Sequence, residues 1–196
     1  MIVPTIPQAI LLFLLGGVFL HFLMAGGRTF HVVNADLEPA AWISQIMFVF
    51  GGTVAAWYLG LHQPMHPLNG VIAALLLAIS LSLYEWARHT IIRRRFGIAG
   101  SGHVPEALCD AGPYRFIRHP IYLGYMLAHL AVLAAIPHWV TAAIFAAVAA
   151  ICAYWAIDDE RALMASGLAA DYASYRQRTG MFLPKLSRAA PGRQPR

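Results

Sequence analysis

Residues 121–157 read IYLGYMLAHLAVLAAI, then PH, then WVTAAIFAAVAAICAYWAI, two apolar runs parted by Pro137 and His138. Proline lacks the backbone donor that would continue a helix and clashes with the preceding turn. The pattern therefore predicts two helices, 121–136 and 139–157, joined in a tight hairpin. A helix of sixteen residues rises about 24 Å at 1.5 Å per residue. That is less than the roughly 30 Å of hydrocarbon in a bilayer, so the hairpin need not cross it fully.

Outward toward the N-terminus lie three more apolar runs, at 6–24, 41–61 and 68–86. Hydrophobic residues make up 59% of the 196 residues and charged residues 12%, against about 45–50% and about 25% in soluble domains. The expected architecture is an all-α polytopic membrane helical bundle of about five transmembrane helices forming a single domain, 1–196. Residues 1–92 form an N-terminal three-helix part and 93–187 the remaining core. No length remains for a separate soluble catalytic domain, so the active site must be built from helices and connecting loops. The first run has no basic residues before it and no small-residue cleavage site after it, and is expected to be a retained helix.

All 14 Lys and Arg residues fall on one side of this arrangement. Arg28 follows the first run, Arg88, Arg93, Arg94, Arg95, Arg115 and Arg118 lie between the third and fourth, and the rest follow the fifth. The positive-inside rule then puts the N-terminus outside and the C-terminus in the cytosol. The net charge of +5 is accounted for by topology, and no nucleic-acid partner is expected. Beyond 157, Met164, Leu168, Tyr172 and Tyr175 are spaced for one face of a cytosolic amphipathic helix. Residues 188–196 are rich in Pro and Arg and read as a disordered tail. The two cysteines, Cys109 and Cys152, support neither a disulfide framework nor a metal site.

At the cytosolic edge of the fourth run stands Gly112-x-Tyr114-x-x-x-Arg118-His119-Pro120-x-Tyr122-x-Gly124. Pro120 is suited to the first turn of a helix, with Arg118 and His119 just outside it. Membrane anchoring alone explains arginines and tyrosines at such a boundary. The longer order of features points elsewhere. The Arg-His-Pro stretch is followed by the hairpin, the acids Asp158-Asp159-Glu160, Tyr172-x-x-Tyr175, Thr179-Gly180 and Phe182-Leu183-Pro184. Together they resemble the isoprenylcysteine carboxyl methyltransferase family of integral membrane enzymes, whose two-part arrangement phospholipid N-methyltransferases share. The resemblance covers roughly residues 106–185.

The resemblance implies a cofactor, S-adenosyl-L-methionine (SAM), enclosed between the Arg-His-Pro stretch and the acids, and a lipophilic or lipid substrate arriving from the bilayer. Carried over by position, Tyr114, His119, Pro120, Ile121 and Tyr122 line the cofactor pocket, with Glu106, Ala107, Leu108 and Cys109 in the preceding loop. Gly124 would let the helix backbone come close. Counting back from Tyr172 places Glu160 at the cofactor-contacting acid, whereas counting forward from the apolar run favours Asp159. Arg118, His119 and Glu160 are the candidate catalytic residues. The prenylcysteine-modifying enzymes have an arginine shortly before the acids, where this chain has Tyr154-Trp155-Ala156. That departure makes a prenylcysteine carboxylate a doubtful acceptor.

Other polar residues carry structural readings. His21, Gln45 and His129 sit within apolar runs, where hydrogen bonding to a neighbouring helix is the simpler role. Glu85, Arg88 and His89 have i, i+3, i+4 spacing and predict an interfacial ion pair. His62 and His66 flank Pro64 on the outer side, away from the proposed site, and no metal is expected. Two alternatives compete with the methyltransferase. An NADPH-dependent membrane sterol or lipid reductase would share an Arg-His-x-x-Tyr-x-Gly segment, but here Ile121 and Tyr125 stand where Asn and an acid are common. A non-enzymatic haem- or metal-binding membrane subunit using His21, His119 and His129 leaves the acids unexplained.

Overall fold

The computed structural model describes residues 5–32, 51, 53–54, 57–62, 65–94 and 107–185. Among them the fold is all-helical: α1 (Ile6–Val32), α2 (Pro67–Arg94), a 3-10 turn (Gly112–Arg115), α3 (Pro120–Ala135), α4 (Trp139–Met164) and α5 (Ala169–Arg178). Among the described residues three segments are long and apolar enough to cross a membrane, Ile6–Gly26, Pro67–Arg93 and Trp139–Met164, while Pro120–Ala135 is shorter. Most of the predicted second span, 41–61, lies outside the described residues, as do Gln45 and the 188–196 tail.

Helix ends are where expectation and structure part. Prolines mark starts correctly: Pro67 opens α2 and Pro120 opens α3, since a first-turn residue needs no amide hydrogen. At the hairpin, His138 caps α4. Its Nδ1 accepts from the Val140 amide at 3.2 Å, and Thr141 Oγ1 accepts from the His138 amide at 3.2 Å. Helix exits, by contrast, overrun the apolar windows. α1 continues to Val32, so Arg28 belongs to the helix and not to a following loop. Gly26 and Gly27 each weaken a helix by about 1 kcal/mol relative to Ala, which does not stop it, and the next proline is Pro39. α2 runs to Arg94 and α4 to Met164, because Glu, Arg, Leu, Met and Ala continue a helix whether or not the segment is apolar.

The single amphipathic helix expected through 164, 168, 172 and 175 is likewise two pieces. α4 ends at Met164, which is exposed, and α5 begins at Ala169 with Leu168 as its cap. Ser166 makes the break: its hydroxyl donates to Leu163 O at 2.7 Å and accepts from the Leu168 amide at 3.1 Å. This is the local bonding with which serine competes against helix.

α2 and α3 form the most extensive helix pair. On α2 the buried positions are Ala73, Leu77, Ser80, Tyr84, Ala87 and Ile91; on α3 they include Gly124, Ala128, Ala131 and Ala135. Steps of three and four make each set one helix face, and small side chains let the backbones come close. Gly124 is the tightest point. A Cβ there would lie 3.3 Å from Tyr84 Cβ and 3.5 Å from Ser80 O, and Ser80 Oγ donates to Gly124 O at 2.6 Å. α1 completes this core with Leu11, Leu12, Leu15, Phe19 and Phe22. The outward faces of α1 and α2 present Ile10, Phe13, Leu20, Val71, Leu75 and Ile79, apolar side chains suited to lipid. The chain is an integral membrane protein.

Replacing Gly124 with Val should lower the thermal midpoint in detergent, because overpacking a tight helix contact costs about 1–3 kcal/mol. Gly17, with nothing within 4 Å of its Cβ position, should accept Ala with no loss, and circular dichroism melts of both variants compare the two.

Candidate active site

Asp159 and Glu160 lie in the last two turns of α4. They are not at a helix N-terminus, where the dipole would favour them; the C-terminal end of a helix carries partial negative charge and disfavours carboxylates. Both are nevertheless buried, at 4% and 5% exposure, so partners from elsewhere must hold them.

Glu160 is the more heavily partnered. Arg118 Nε donates to its Oε1 at 2.7 Å, with side chains only 7% and 6% exposed. His119 Nε2 lies 3.3 Å from the same oxygen. Arg176 Nε approaches Oε2 at 3.4 Å from α5, though its exposure makes that contact weak. The Arg118 guanidinium also donates to the Thr179 carbonyl.

Residues 179–182 are brought to the site by strand-like pairing with 116–119. The Arg118 amide donates to Gly180 O at 2.8 Å, the His119 amide to Met181 O at 3.1 Å, and the Gly180 amide to Phe116 O at 3.3 Å. Ile117 and Gly180 form an isolated parallel bridge. Gly180 is required there, since a Cβ would fall 1.7 Å from Leu183 O, a backbone atom that no rotamer change removes.

Asp159 has a different neighbourhood. Tyr122, in the first turn of α3, donates its hydroxyl to Oδ2 at 3.0 Å. The Tyr122 ring stacks on His119 with centroids 5.6 Å apart and planes 12° from parallel, and Phe182 tilts against His119 at 6.1 Å. Below them Tyr175 donates to Tyr114 O at 2.7 Å, and Thr179 Oγ1 donates to Tyr175 O at 2.7 Å. Burial, followed by the charge-bearing groups Cys109 and, for Tyr114, Tyr175, pushes both the Tyr114 and Tyr175 phenols up. Both keep their protons at neutral pH, and the Tyr175 hydroxyl is the donor to the Tyr114 carbonyl. Tyr172, 1% exposed, lies beside Glu160, and burial followed by the Glu160 charge pushes its phenol up.

The structure thus gathers Arg118, His119, Tyr122, Asp159 and Glu160 around one end of α4. The other residues expected at the site take varied places. Pro120 is buried as the helix opener. Ile121 packs against the α1–α2–α3 core, and Gly124 meets α2, so the backbone approach it allows is that of a neighbouring helix. Leu108 packs with Leu163, Tyr172 and Tyr175, Cys109 is half-buried and Ala107 exposed. Glu106 lies outside the described residues. Arg176 and Thr179 were not foreseen at the site. Arg176 directly follows Tyr175 in the sequence, which is a usable signal, but a carbonyl ligand such as Thr179 has none.

Away from the site, Glu85 pairs with Arg88 at 2.6 Å and with His21 of α1 at 2.6 Å, and its backbone carbonyl lies 2.8 Å from His89 Nδ1. His129 Nδ1 is 2.9 Å from Tyr125 O. His21 and the Glu85 group take the structural roles expected of them, whereas His129 bonds within its own helix and meets the neighbouring helix through its ring, 4.7 Å from that of Phe19. Among the described residues no group of three or more His, Cys, Asp or Glu could hold a metal.

Removing Arg118 strands Glu160 in the interior, and breaking a buried pair on one side costs about 3–5 kcal/mol. Arg118→Leu should therefore lower the denaturation midpoint far more than Arg176→Leu, whose contact is half-exposed; parallel thermal melts read the difference. Gly180→Ala should also destabilise by displacing the 179–182 segment, seen as faster proteolysis at the C-terminal end.

Residues 100–166 match the model of the Isoprenylcysteine carboxyl methyltransferase (ICMT) family. No curated protein and no solved structure matches the chain. The matched segment holds the Arg-His-Pro turn, the α3–α4 hairpin and both acids. Over that segment, about a third of its length, the chain is similar to the isoprenylcysteine carboxyl methyltransferase family.

Proposed function

We propose that this chain is a methyltransferase that binds SAM at the end of α4 and methylates a lipophilic or amphipathic substrate from the bilayer. The observation that carries this reading is the convergence of buried polar side chains on that end: Arg118 and His119 on Glu160, and Tyr122 on Asp159. Family members generally use SAM. Its amino-acid end carries both charges, its ribose carries hydroxyls and its adenine is flat, and the residues present suit each part.

In this reading Glu160 and Tyr172 take hydrogen bonds from the ribose or ammonium group, and the remaining guanidinium edge of Arg118 is taken up by the carboxylate of SAM itself. The stacked rings of His119 and Tyr122 offer a flat wall, and Tyr114, Leu108 and Cys109 are the further lining residues of this reading. Residues 93–187 form the functional core and the first helices anchor it. When bound, SAM supplies a methyl group already activated on a sulfonium sulfur. What remains for the protein is to hold donor and acceptor in line and to exclude water. The buried Glu160 cluster and the 179–182 segment serve that end by fixing the walls.

The distribution of the 14 Lys and Arg residues supports a cytosolic site and C-terminus with the N-terminus outside, so a soluble cofactor enters from the cytosol and the substrate from between helices. No basic residue stands at 154–156, where Tyr154 is exposed and Ala156 buried, and Arg118 and Arg176 both face Glu160. A prenylcysteine carboxylate therefore lacks an evident partner.

Calorimetry of the detergent-purified protein should detect binding of S-adenosylhomocysteine, weakened about tenfold or more in Glu160→Gln and His119→Ala, in line with losing a hydrogen bond to a charged group. A folded wild-type protein that binds NADPH and not S-adenosylhomocysteine would remove the proposal.

A further inference from the structure

The two adjacent acids of α4 are held in opposite ways, and that difference has a chemical use. Glu160 is compensated by Arg118, with His119 and Arg176 also at its oxygens. Asp159, equally buried, has a neutral phenol as its hydrogen-bond partner, Tyr122 at 3.0 Å. The titratable groups that face it are Tyr114 from the 3-10 turn, Tyr122 from α3, and Asp158 and Glu160 from its own helix. None is a cation. A carboxylate that is neutralised by an arginine is a poor proton acceptor, whereas one neighboured by phenols and like charges is neutralised most readily by a proton.

We propose that Asp159, oriented by Tyr122, accepts the proton released on methyl transfer, and that the acceptor substrate bears an N–H or O–H group on a lipophilic body. The proposal rests on the methyltransferase reading above. In the step, the acceptor's N–H or O–H bond breaks and its proton goes to an Asp159 oxygen. The freed electron pair forms the bond to the methyl carbon, and the methyl–sulfur bond breaks with its pair remaining on sulfur. A carboxylate acceptor would release no proton and would meet Asp159 and Asp158 as like charges with no cation to hold it. An amine or phenol arrives neutral or positive and finds a hydrogen-bond acceptor.

Tyr122 acts through Asp159. Its hydroxyl occupies Oδ2, and its ring is braced by the His119 stack. This leaves Oδ1 for the acceptor and fixes the carboxylate plane.

The test uses the full-length protein in detergent, with radiolabelled SAM and three single-chain acceptors of one chain length: dodecylamine, 4-dodecylphenol and dodecanoate. Methylation of the amine or the phenol, and not of dodecanoate, is expected. Asp159→Asn should bind S-adenosylhomocysteine within about threefold of wild type yet transfer methyl about 10²- to 10⁴-fold more slowly, the usual contribution of a general base. Asp159→Glu should recover part of the rate, and Tyr122→Phe should move the pH of half-maximal rate. Without any ligand, the infrared carboxylic-acid band that titrates in the wild-type protein should be missing from Asp159→Asn.

Transfer by Asp159→Asn within about tenfold of wild type would overturn the proposal, as would preferential methylation of dodecanoate or no transfer to any of the three. So would loss of S-adenosylhomocysteine binding in Asp159→Asn, which would make Asp159 a cofactor ligand. If the wild-type protein itself fails to bind S-adenosylhomocysteine, the methyltransferase reading falls. The ligand-free infrared titration distinguishes that result from a failure of Asp159 as proton acceptor.

Discussion

The buried pair between Arg118 and Glu160 is the constraint on which the rest of this structure depends. Taking two charges out of water is costly, and their attraction offsets the cost only when geometry is good and the remaining donors are bonded. Here one arginine reaches both a carboxylate on α4 and the Thr179 carbonyl beyond α5. The pair thereby joins the start of α3, the end of α4 and the C-terminal segment at one point. Segments remote in sequence are held at a site that, by length, no single loop could enclose.

The short α3 makes this possible. Its small-residue face lies against α2 through Gly124 and Ser80, so its opening residues are fixed relative to the longer helices. Its capped turn into α4 then sets the register of that helix. Because α4 overruns the apolar window by seven residues, the acids are carried on rigid helix instead of on a loop. Sites built on regular elements hold their geometry more closely than sites on loops, and two neighbouring acids are presented to two different surroundings.

The membrane class, the hairpin and the start of α3 were legible because their signals are local: apolar runs, Pro120, and the Pro137-His138 break. The exits of α1, α2 and α4 were not, since an apolar window measures lipid compatibility while helix continuation depends on propensity and breakers. Much of the site was also legible. Arg118, His119, Tyr122, Asp159 and Glu160 stood in a recognisable order, and they do assemble. Ile121 and Gly124 stood in the same motif but face the helix core, since neighbours on a helix point about 100° apart and cannot share one wall.

The choice between Asp159 and Glu160 shows where sequence stops. Residue order alone established an acidic cluster at the end of an apolar helix and an arginine before another. Composition and local stereochemistry suffice for that. Which acid takes the arginine depends on the rotation of α4 against α3, on the Ser166 break that brings α5 and Arg176 back, and on the pairing of Gly180 with Phe116 and Arg118. Those contacts span some sixty residues of chain. Their cost in closure entropy is recovered only by tertiary packing, so only the folded structure could assign one carboxylate to an ion pair and the other to a phenol.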